Sequence, residues 1–290
     1  MNLERLKRLV IIAMFSDDDL LDILVLKGGN ALDIVHEVAL RSSKDIDFSI
    51  ESEFSKDEIE TIKVKFDKVL KETFRPEGFE VFDINFVERP KKISEGMAQF
   101  WGGYHIDFKI IEVGKYHTHQ NDIESIRRNA KVVGAKNRKV FRIDISKFEY
   151  CESKQERELD GYTIYVYTPE MIAFEKLRAI CQQMPEYANH VNNPSRSARA
   201  RDFFDIYTVL ETFNIDVKTE ANLKLLKNIF DAKHVPLHLL DRIRDYREYH
   251  RSDFEAVKDT VKVRYQLKSF DYYFDYVVKI VEQLQAFWKI

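Results

Sequence analysis

The order of apolar and polar residues divides the chain into a first part that mixes strands with helices and a second part that is helical. The apolar run Leu9 to Phe15 predicts an amphipathic first helix. Ile23 to Leu26 is a short apolar run that ends at Lys27-Gly28-Gly29, and helical spacing follows it, which predicts a strand, a glycine turn and a helix. Asp45 to Ile50 then alternates polar and apolar residues with period two. This segment is therefore predicted to be a half-buried strand with Asp45 and Asp47 on one face.

The rest of the sequence predicts further strands and helices from the same kinds of pattern. Ser55 with Glu58 three residues later is a capping box, and helical spacing after it predicts a helix to about Phe74. Further strands are predicted at 79–87, 104–113, 140–145 and 162–167. Thr168 followed by Pro169 predicts the start of a helix, and helices are also expected near 197–213, 219–231, 237–248, 251–264 and 269–288. We therefore predict a catalytic α/β domain at 1–167 and a helical domain at 168–290, packed tightly because no flexible linker separates them.

Composition narrows the class of protein. The chain has 290 residues, of which 33% are charged, with only 9 Gly and 6 Pro, which excludes collagen-like and disordered classes. The net charge of -3 means that any contact with nucleic acid must come from a local patch. The two cysteines fit neither a disulfide framework nor a metal site, so a cytoplasmic location is expected. No apolar run approaches the roughly 20 residues of a membrane span, so no membrane association is predicted.

The segment from Lys27 to Asp47 carries the most chemical information. Glycines where a strand turns into a helix let backbone N–H groups approach phosphate oxygens. Two carboxylates at i and i+2 on a strand point the same way, which suits the binding of divalent cations. Asp107, on a neighbouring predicted strand, is the candidate for a third acid. Either feature alone is ordinary, since Gly-Gly is common in turns and Asp-x-Asp in solvated strands, but together they favour a nucleoside triphosphate site.

At the level of families, Gly28-Gly29 followed by Arg41-x-Ser43-x-Asp45-Ile46-Asp47 resembles the signature of the DNA polymerase beta-like nucleotidyltransferases. Two later segments, Phe174 to Ala179 and Arg199 to Tyr207, are similar to motifs of the AbiEii/AbiGii toxins of abortive-infection and toxin–antitoxin systems, a group that includes the MenT toxins. The resemblance implies an α/β (α+β) fold, with a polymerase beta-like mixed sheet, flanking helices and a C-terminal helical bundle.

The resemblance also implies roles for individual residues. It makes Asp45, Asp47 and Asp107 metal ligands for Mg²⁺ or Mn²⁺. It adds Lys176, Asp202 and Asp205 to the catalytic residues, with Lys176 meeting triphosphate charge. The nucleotide-binding residues that we predict are Lys27, Gly28, Gly29, Asn30, Arg41, Ser43, Lys176, Arg199 and Arg201.

The function implied is metal-dependent transfer of a nucleotide from a nucleoside triphosphate to an acceptor, with RNA, and transfer RNA in particular, as the expected acceptor. A separately encoded antitoxin is the expected partner. The basic residues Arg127, Arg128, Lys131, Lys136, Arg138 and Lys139 form either an acceptor-binding patch or a solvated surface. The alternatives are a nucleotidyltransferase that modifies a small molecule, metabolic or antibiotic, and a non-catalytic nucleotide-binding protein.

Overall fold

The computed structural model describes residues 2–38, 45–92, 95–134, 136–188, 196–261 and 265–288. Its centre is one mixed sheet of seven strands. The strands are β1 (Val25–Lys27), β2 (Ile46–Ser49), β3 (Phe79–Arg89), β4 (Gly103–Glu112), β5 (Phe141–Ser146), β6 (Gln155–Leu159) and β7 (Tyr162–Val166). Their order across the sheet is β3-β4-β5-β2-β1-β7-β6. β2 and β5 run parallel, as do β1 and β7, and the other neighbours are antiparallel.

Helices surround this sheet. They are α1 (Leu3–Phe15), α2 (Asp18–Ile23), α3 (Gly28–Asn30), α4 (Glu58–Phe74), α5 (Val113–His119), α6 (Ile123–Asn129), α7 (Pro169–Cys181), α8 (Pro185–Ala188), α9 (Ala200–Thr212), α10 (Glu220–Asp231), α11 (Arg247–Arg251), α12 (Phe254–Lys258) and α13 (Phe270–Leu284). A π-helical turn follows α3 at Ala31–Val35, and 3₁₀ segments occupy Leu237–Tyr246 and Gln285–Phe287. The mixed α/β fold expected from the sequence is confirmed. No described helix has both the length and the apolar character needed to cross a membrane.

The two faces of the sheet have different surroundings. Phe48 of β2 lies edge-on to Phe15 of α1, with ring centroids 5.8 Å apart, and Phe108 of β4 contacts Phe74 of α4 at 6.0 Å. Side chains alternate along a strand, so the residues next to Phe48 and Phe108 point to the opposite face of the sheet. The opposite face therefore carries the polar members of the alternating segments, and it is turned towards α7 and α9.

Local signals placed several elements correctly. The Ser55 amide donates to Glu58 Oε2 at 2.9 Å and the Glu58 amide donates to Ser55 Oγ at 3.3 Å, which confirms the capping box. Thr168 caps α7 through the amide of Met171, with Pro169 in the first turn. Among the described residues that follow β7, all regular structure is helical. The division into domains at residue 167 stays a prediction, since the buried core is continuous from α1 to α13.

Other expectations were wrong in detail. The helix expected at 251–264 is a short α12, Phe254–Lys258, at whose end the amide and the hydroxyl of Thr260 both donate to the Val257 carbonyl in a tighter turn; residues 262–264 lie outside the described part. The segment expected as a helix at 237–248 is mainly 3₁₀. The strand β6 was not predicted because its residues are mostly exposed and charged, as is common for a strand at a sheet edge.

Candidate active site

A cleft of about 1380 Å³ separates the polar face of the sheet from α7 and α9. The pairing of residues between neighbouring strands explains which side chains form the floor of this cleft. Lys27 lies opposite Asp47, Asp47 opposite Asp144, and Asp144 opposite His105, so that these four residues form one row across β1, β2, β5 and β4. All four line the cleft.

The glycine turn is in direct contact with this row. Gly28 has a positive φ of 71°, which favours glycine, and a Cβ built on it would lie 2.8 Å from Asp47 Oδ2. Any larger residue would therefore push against the Asp47 carboxylate. Helical backbone starts at Gly28 itself, so the first N–H groups of that helix and the Asp47 carboxylate border the same space.

Asp45, Asp47 and Asp144, which we call the acidic row, bring three carboxylates together; Arg138 pairs with Asp45, and His105 Nε2 lies 3.2 Å from Asp144 Oδ1. Burial raises the pKa of Asp47 to about 7; Lys27 lowers it, and Asp144, Glu175 and Asp45 raise it further. Burial also raises the pKa of Asp144, which His105 lowers and Asp45 raises. Because both pKa values are raised, the site disfavours the state in which Asp47 and Asp144 are both ionised. A bound cation would remove that penalty.

Two neighbours hold Asp45 in place. Arg138 donates to Asp45 Oδ1 at 2.8 Å, and the Asn30 side-chain amide donates to the Asp45 backbone carbonyl at 2.5 Å. Asn30 is fully buried and its Oδ1 has no hydrogen-bond partner among the described residues. Asn30 thus ties the helix after the glycine turn to the start of β2, a structural contact that the sequence did not predict.

Asp107 does not join the acidic row, contrary to the expectation from the sequence. In the sheet it lies opposite Arg142, which holds both of its carboxylate oxygens with hydrogen bonds of 2.8 Å. These bonds lower the pKa of Asp107, and Asp107 does not line the cleft. The acid beside Asp47 is Asp144, which sequence reasoning missed. The available signal was the Ile143-Asp144-Ile145 alternation, which repeats the pattern of Ile46-Asp47-Phe48.

A second group of charges lies next to the acidic row, and here each carboxylate is paired with cations, three cations surrounding two carboxylates. We call it the balanced cluster, and its members are Lys27, Glu149, Glu175, Arg178 and Lys233. Lys27 Nζ lies 2.7 Å from Glu175 and 3.4 Å from Glu149, and Arg178 lies 2.8 Å from Glu149. Burial alone would raise the pKa of Glu149, but its three cationic neighbours hold it far below its usual range. Lys27 is therefore bound to protein carboxylates, although it also borders the cleft.

The helical wall carries another ion-pair group. Lys176 of α7 lies 3.0 Å from Asp202 and 2.7 Å from Asp205, both on α9. Arg199 lies 3.4 Å from the other oxygen of Asp202. Lys176, Arg199 and Asp202 line the cleft, whereas Asp205 is 3% exposed and lies behind them. The structure therefore brings Lys176 and the two aspartates together, as one unit.

The other predicted binding residues divide into three groups. Arg201 lines the cleft, as do Gly28 and Gly29. Arg41 and Ser43 lie outside the described residues. The basic residues of segment 127–139 do not themselves line the cleft, although Arg138 pairs with Asp45, which does; Arg127 pairs with Asp83 and Glu124, and the Lys139 ammonium donates to a backbone carbonyl.

The donor chemistry of the acidic row fits a divalent cation, although the described residues contain no group of three or more side chains arranged to hold a metal by themselves. Mg²⁺ commonly uses only one or two carboxylates and takes its other ligands from water and from substrate phosphates. Asp47 and Asp144 are adjacent carboxylates with raised pKa values, which is the state that a bound cation would relieve.

An α/β sheet with an acidic row beside a glycine turn is the architecture of a nucleotide-transferring class of proteins. The family model described as nucleotidyl transferase AbiEii toxin, type IV toxin–antitoxin system, matches residues 10–276. The chain therefore belongs to the AbiEii family of nucleotidyltransferase toxins.

Comparisons with solved structures and with curated proteins give less information than the family model. A candidate nucleotidyltransferase from Helicobacter pylori is 15% identical over 99% of this chain and 95% of that chain, with a TM-score of 0.48. JHP933 from Helicobacter pylori is also 15% identical, over 99% of this chain and 91% of that chain, with a TM-score of 0.47. An antigenic nucleotidyltransferase-like protein from Paracoccidioides brasiliensis is 14% identical over 81% of this chain and 93% of that chain, at 0.38. These scores are too low to support a functional argument. No curated protein matches the chain significantly.

Proposed function

We propose that this protein transfers a nucleotide from a nucleoside triphosphate to an RNA acceptor, with transfer RNA as the leading candidate. The observation that carries the proposal is the contact between Gly28 and the Asp47 carboxylate, with Asp144 next to it in register. It puts backbone N–H donors for phosphate and oxygen ligands for a cation on two sides of the same small space.

In the reaction that we propose, an acceptor hydroxyl attacks the α-phosphorus of the nucleotide. The new bond joins the acceptor oxygen to this phosphorus, the hydroxyl proton is released to solvent, and the bond to the bridging oxygen breaks, so that pyrophosphate leaves. The turn at Gly28-Gly29 binds the leaving phosphates through backbone N–H groups. Asp47 and Asp144, with Asp45 beside them, hold the divalent cation, Mg²⁺ or Mn²⁺. When bound, such an ion polarises the phosphoryl oxygens and stabilises developing negative charge.

The helical wall supplies positive charge. Asp202 and Asp205 fix the Lys176 ammonium on the cleft side of α7, where it can face phosphate oxygens. Arg199 and Arg201 extend the positive charge along the same wall. Roles for Arg41 and Ser43 in phosphate binding stay predictions from the family resemblance, and so does direct nucleotide binding by Lys27 and Asn30.

The expected partner and substrate are those of the family. A type IV toxin–antitoxin family implies an antitoxin partner and a nucleoside triphosphate substrate. We propose that the antitoxin is separately encoded and that the toxin acts in the cytoplasm on RNA. We also propose that 1–167 forms the catalytic domain, with 168–290 closing the cleft.

The test is to incubate the protein with each α-³²P-labelled nucleoside triphosphate, Mg²⁺ and total RNA, and to compare the parent with Asp47→Ala. We expect label in RNA for the parent and none for the variant. Asp67→Ala is the matched control, since Asp67 lies on the helix α4 outside the cleft and, among the described residues, pairs with Lys71 alone. Label on a small molecule would identify the small-molecule alternative. Full toxicity of Asp47→Ala in cells would identify the non-catalytic alternative.

A further inference from the structure

The cleft has a direction across the sheet. The glycine turn follows β1, the acids lie on β2 and β5, and the opposite end of the cleft is formed where β3 ends and β4 begins. Arg89, Lys91 and Trp101 line that far end, and we call these three residues the β4 rim. The acids therefore lie in the middle of the cleft, between the glycine turn and the β4 rim.

In-line transfer needs the attacking group and the leaving group on opposite sides of the reacting phosphorus. If the leaving phosphates bind at the turn and the α-phosphorus lies at Asp47 and Asp144, the acceptor hydroxyl must arrive from the β4 side. This step rests on the proposed function, because it takes the direction of the reaction from it.

The side chains of the β4 rim are suited to a polyanion with bases. Arg89 and Lys91 are exposed, and no carboxylate in the described part of the chain pairs with either of them. Trp101 is half-buried, the Lys233 ammonium lies 5.9 Å from its ring centroid, and both residues line the cleft. The indole is therefore held by the balanced cluster while it still borders open space.

Between Trp101 and His105 the floor of the cleft carries no side chain. Gly102 has φ of 117°, and a Cβ on Gly103 would lie 2.2 Å from the Ile145 carbonyl oxygen, so neither position tolerates another residue without movement. Tyr104 is buried against Phe54 on the other face. A flat group lying on Trp101 thus meets only backbone at Gly102 and Gly103 before it reaches His105, which is paired with Asp144 in the sheet.

We propose that the β4 rim receives the nucleotides of a single-stranded RNA acceptor next to its attacking hydroxyl, with a base stacked on Trp101 and phosphates bound by Arg89 and Lys91. Aromatic side chains beside unpaired cations are the common means of binding single-stranded nucleic acid. A chain with net charge -3 needs such a local patch. The basic residues of 127–139 fit this role less well, because carboxylates and carbonyls already engage several of them.

The experiment measures RNA binding separately from catalysis. The probe is a fluorescein-labelled single-stranded RNA of roughly 12 nucleotides, followed by anisotropy without nucleotide. We expect Trp101→Ala to weaken binding about tenfold. Arg89→Ala with Lys91→Ala should make the slope of log K against log salt less steep by about 1.4, the value for two phosphate contacts on a single strand. The matched control is Arg128→Ala with Lys139→Ala, which removes the same charge outside the cleft and should leave the slope unchanged.

A second readout uses Trp101 itself. Only Trp101 and Trp288 contribute indole fluorescence, so Trp288→Phe leaves Trp101 as the single reporter. Stacking of a base should quench this emission as RNA is added. In the transfer assay the rim variants should raise KM for RNA and leave KM for the nucleoside triphosphate unchanged.

The outcomes separate the two claims. Unchanged RNA affinity in the rim variants, or a loss confined to Arg128→Ala with Lys139→Ala, would overturn the rim assignment even if transfer to RNA is observed. Label on a protein acceptor, with no effect of the rim variants, would also overturn it. Failure of the parent to transfer any nucleotide would instead refute the proposed function, and anisotropy would still decide whether the rim binds RNA.

Discussion

Two groups of charges border the same cleft and differ in how their charges are matched. In the balanced cluster, the carboxylates of Glu149 and Glu175 are surrounded by Lys27, Arg178 and Lys233. In the acidic row, carboxylates lie together, and burial with mutual repulsion raises the pKa of Asp47 and Asp144.

The difference distinguishes structural from functional charge. A buried charge with partners is satisfied by the fold, and removal of one member leaves the others unpaired. A buried group of like charges is costly for the fold, so a ligand is the expected source of compensation. We therefore propose that the acidic row is the reaction site and that the balanced cluster supports the turn beside it.

The largest expected effect tests which acid completes the row. Asp144→Asn should reduce transfer about 10³-fold, because a cation ligand contributes several kcal/mol of transition-state stabilisation. Asp107→Asn should retain activity within about threefold, since Asp107 is paired with Arg142 outside the cleft. Single-turnover rates at saturating Mg²⁺ compare the two. The opposite ranking would restore Asp107 to the site and break the comparison.

Removal of a carboxylate from the balanced cluster should affect folding first. Glu149→Gln should lower the free energy of unfolding by about 3 to 5 kcal/mol, because three buried cations lose their shared partner. Urea denaturation measures the change. Glu158→Gln, at an exposed position of the edge strand β6, should stay within about 0.5 kcal/mol of the parent. Equal stabilities for the two variants would contradict a structural role for the cluster.

The burial of Asp47, together with repulsion from neighbouring carboxylates, should appear as a pH effect on stability. The pKa of Asp47 is about 7 in the folded protein, above its usual value of 3.8, so the folded state keeps a proton that the unfolded state releases. The associated stability is fully present below pH 3.8 and is lost as pH rises through about 7.

In EDTA, the free energy of unfolding of Asp47→Asn should therefore exceed that of the parent by roughly 3 kcal/mol more at pH 8 than at pH 4. Mg²⁺ should reduce this advantage by stabilising the parent alone. Denaturation curves at both pH values measure it. A difference that does not depend on pH would show that burial and the neighbouring carboxylates do not raise the pKa of Asp47.

The smallest expected effect concerns the turn. Gly28→Ala should cost about 1 to 2 kcal/mol of stability because of its positive φ, and it should also reduce transfer, since its methyl group would press on Asp47. Gly161→Ala is the matched control, with φ of 87° and open space around it. We expect a similar loss of stability there and normal transfer. Normal transfer by Gly28→Ala would remove the turn from the site.

Local chemistry determined how far the sequence could predict this structure. The capping box at Ser55, the Thr168-Pro169 helix start and the alternation around Asp47 all depend on neighbouring residues, and each appears in the structure. Asp144 was missed because its position depends on pairing between β2 and β5, which are distant in the chain. The ion partners of Lys27 come from a strand-following loop and a helix, so no local pattern could have shown them.

The most direct test of the account is a crystal structure with Mn²⁺ and a non-hydrolysable nucleoside triphosphate, in which anomalous scattering locates the metal. The account predicts a manganese peak bound by Asp47 and Asp144, with the terminal phosphates on the amides of the Gly28-Gly29 turn. Nucleotide bound elsewhere, or manganese held by Asp107 and not by Asp144, would contradict it.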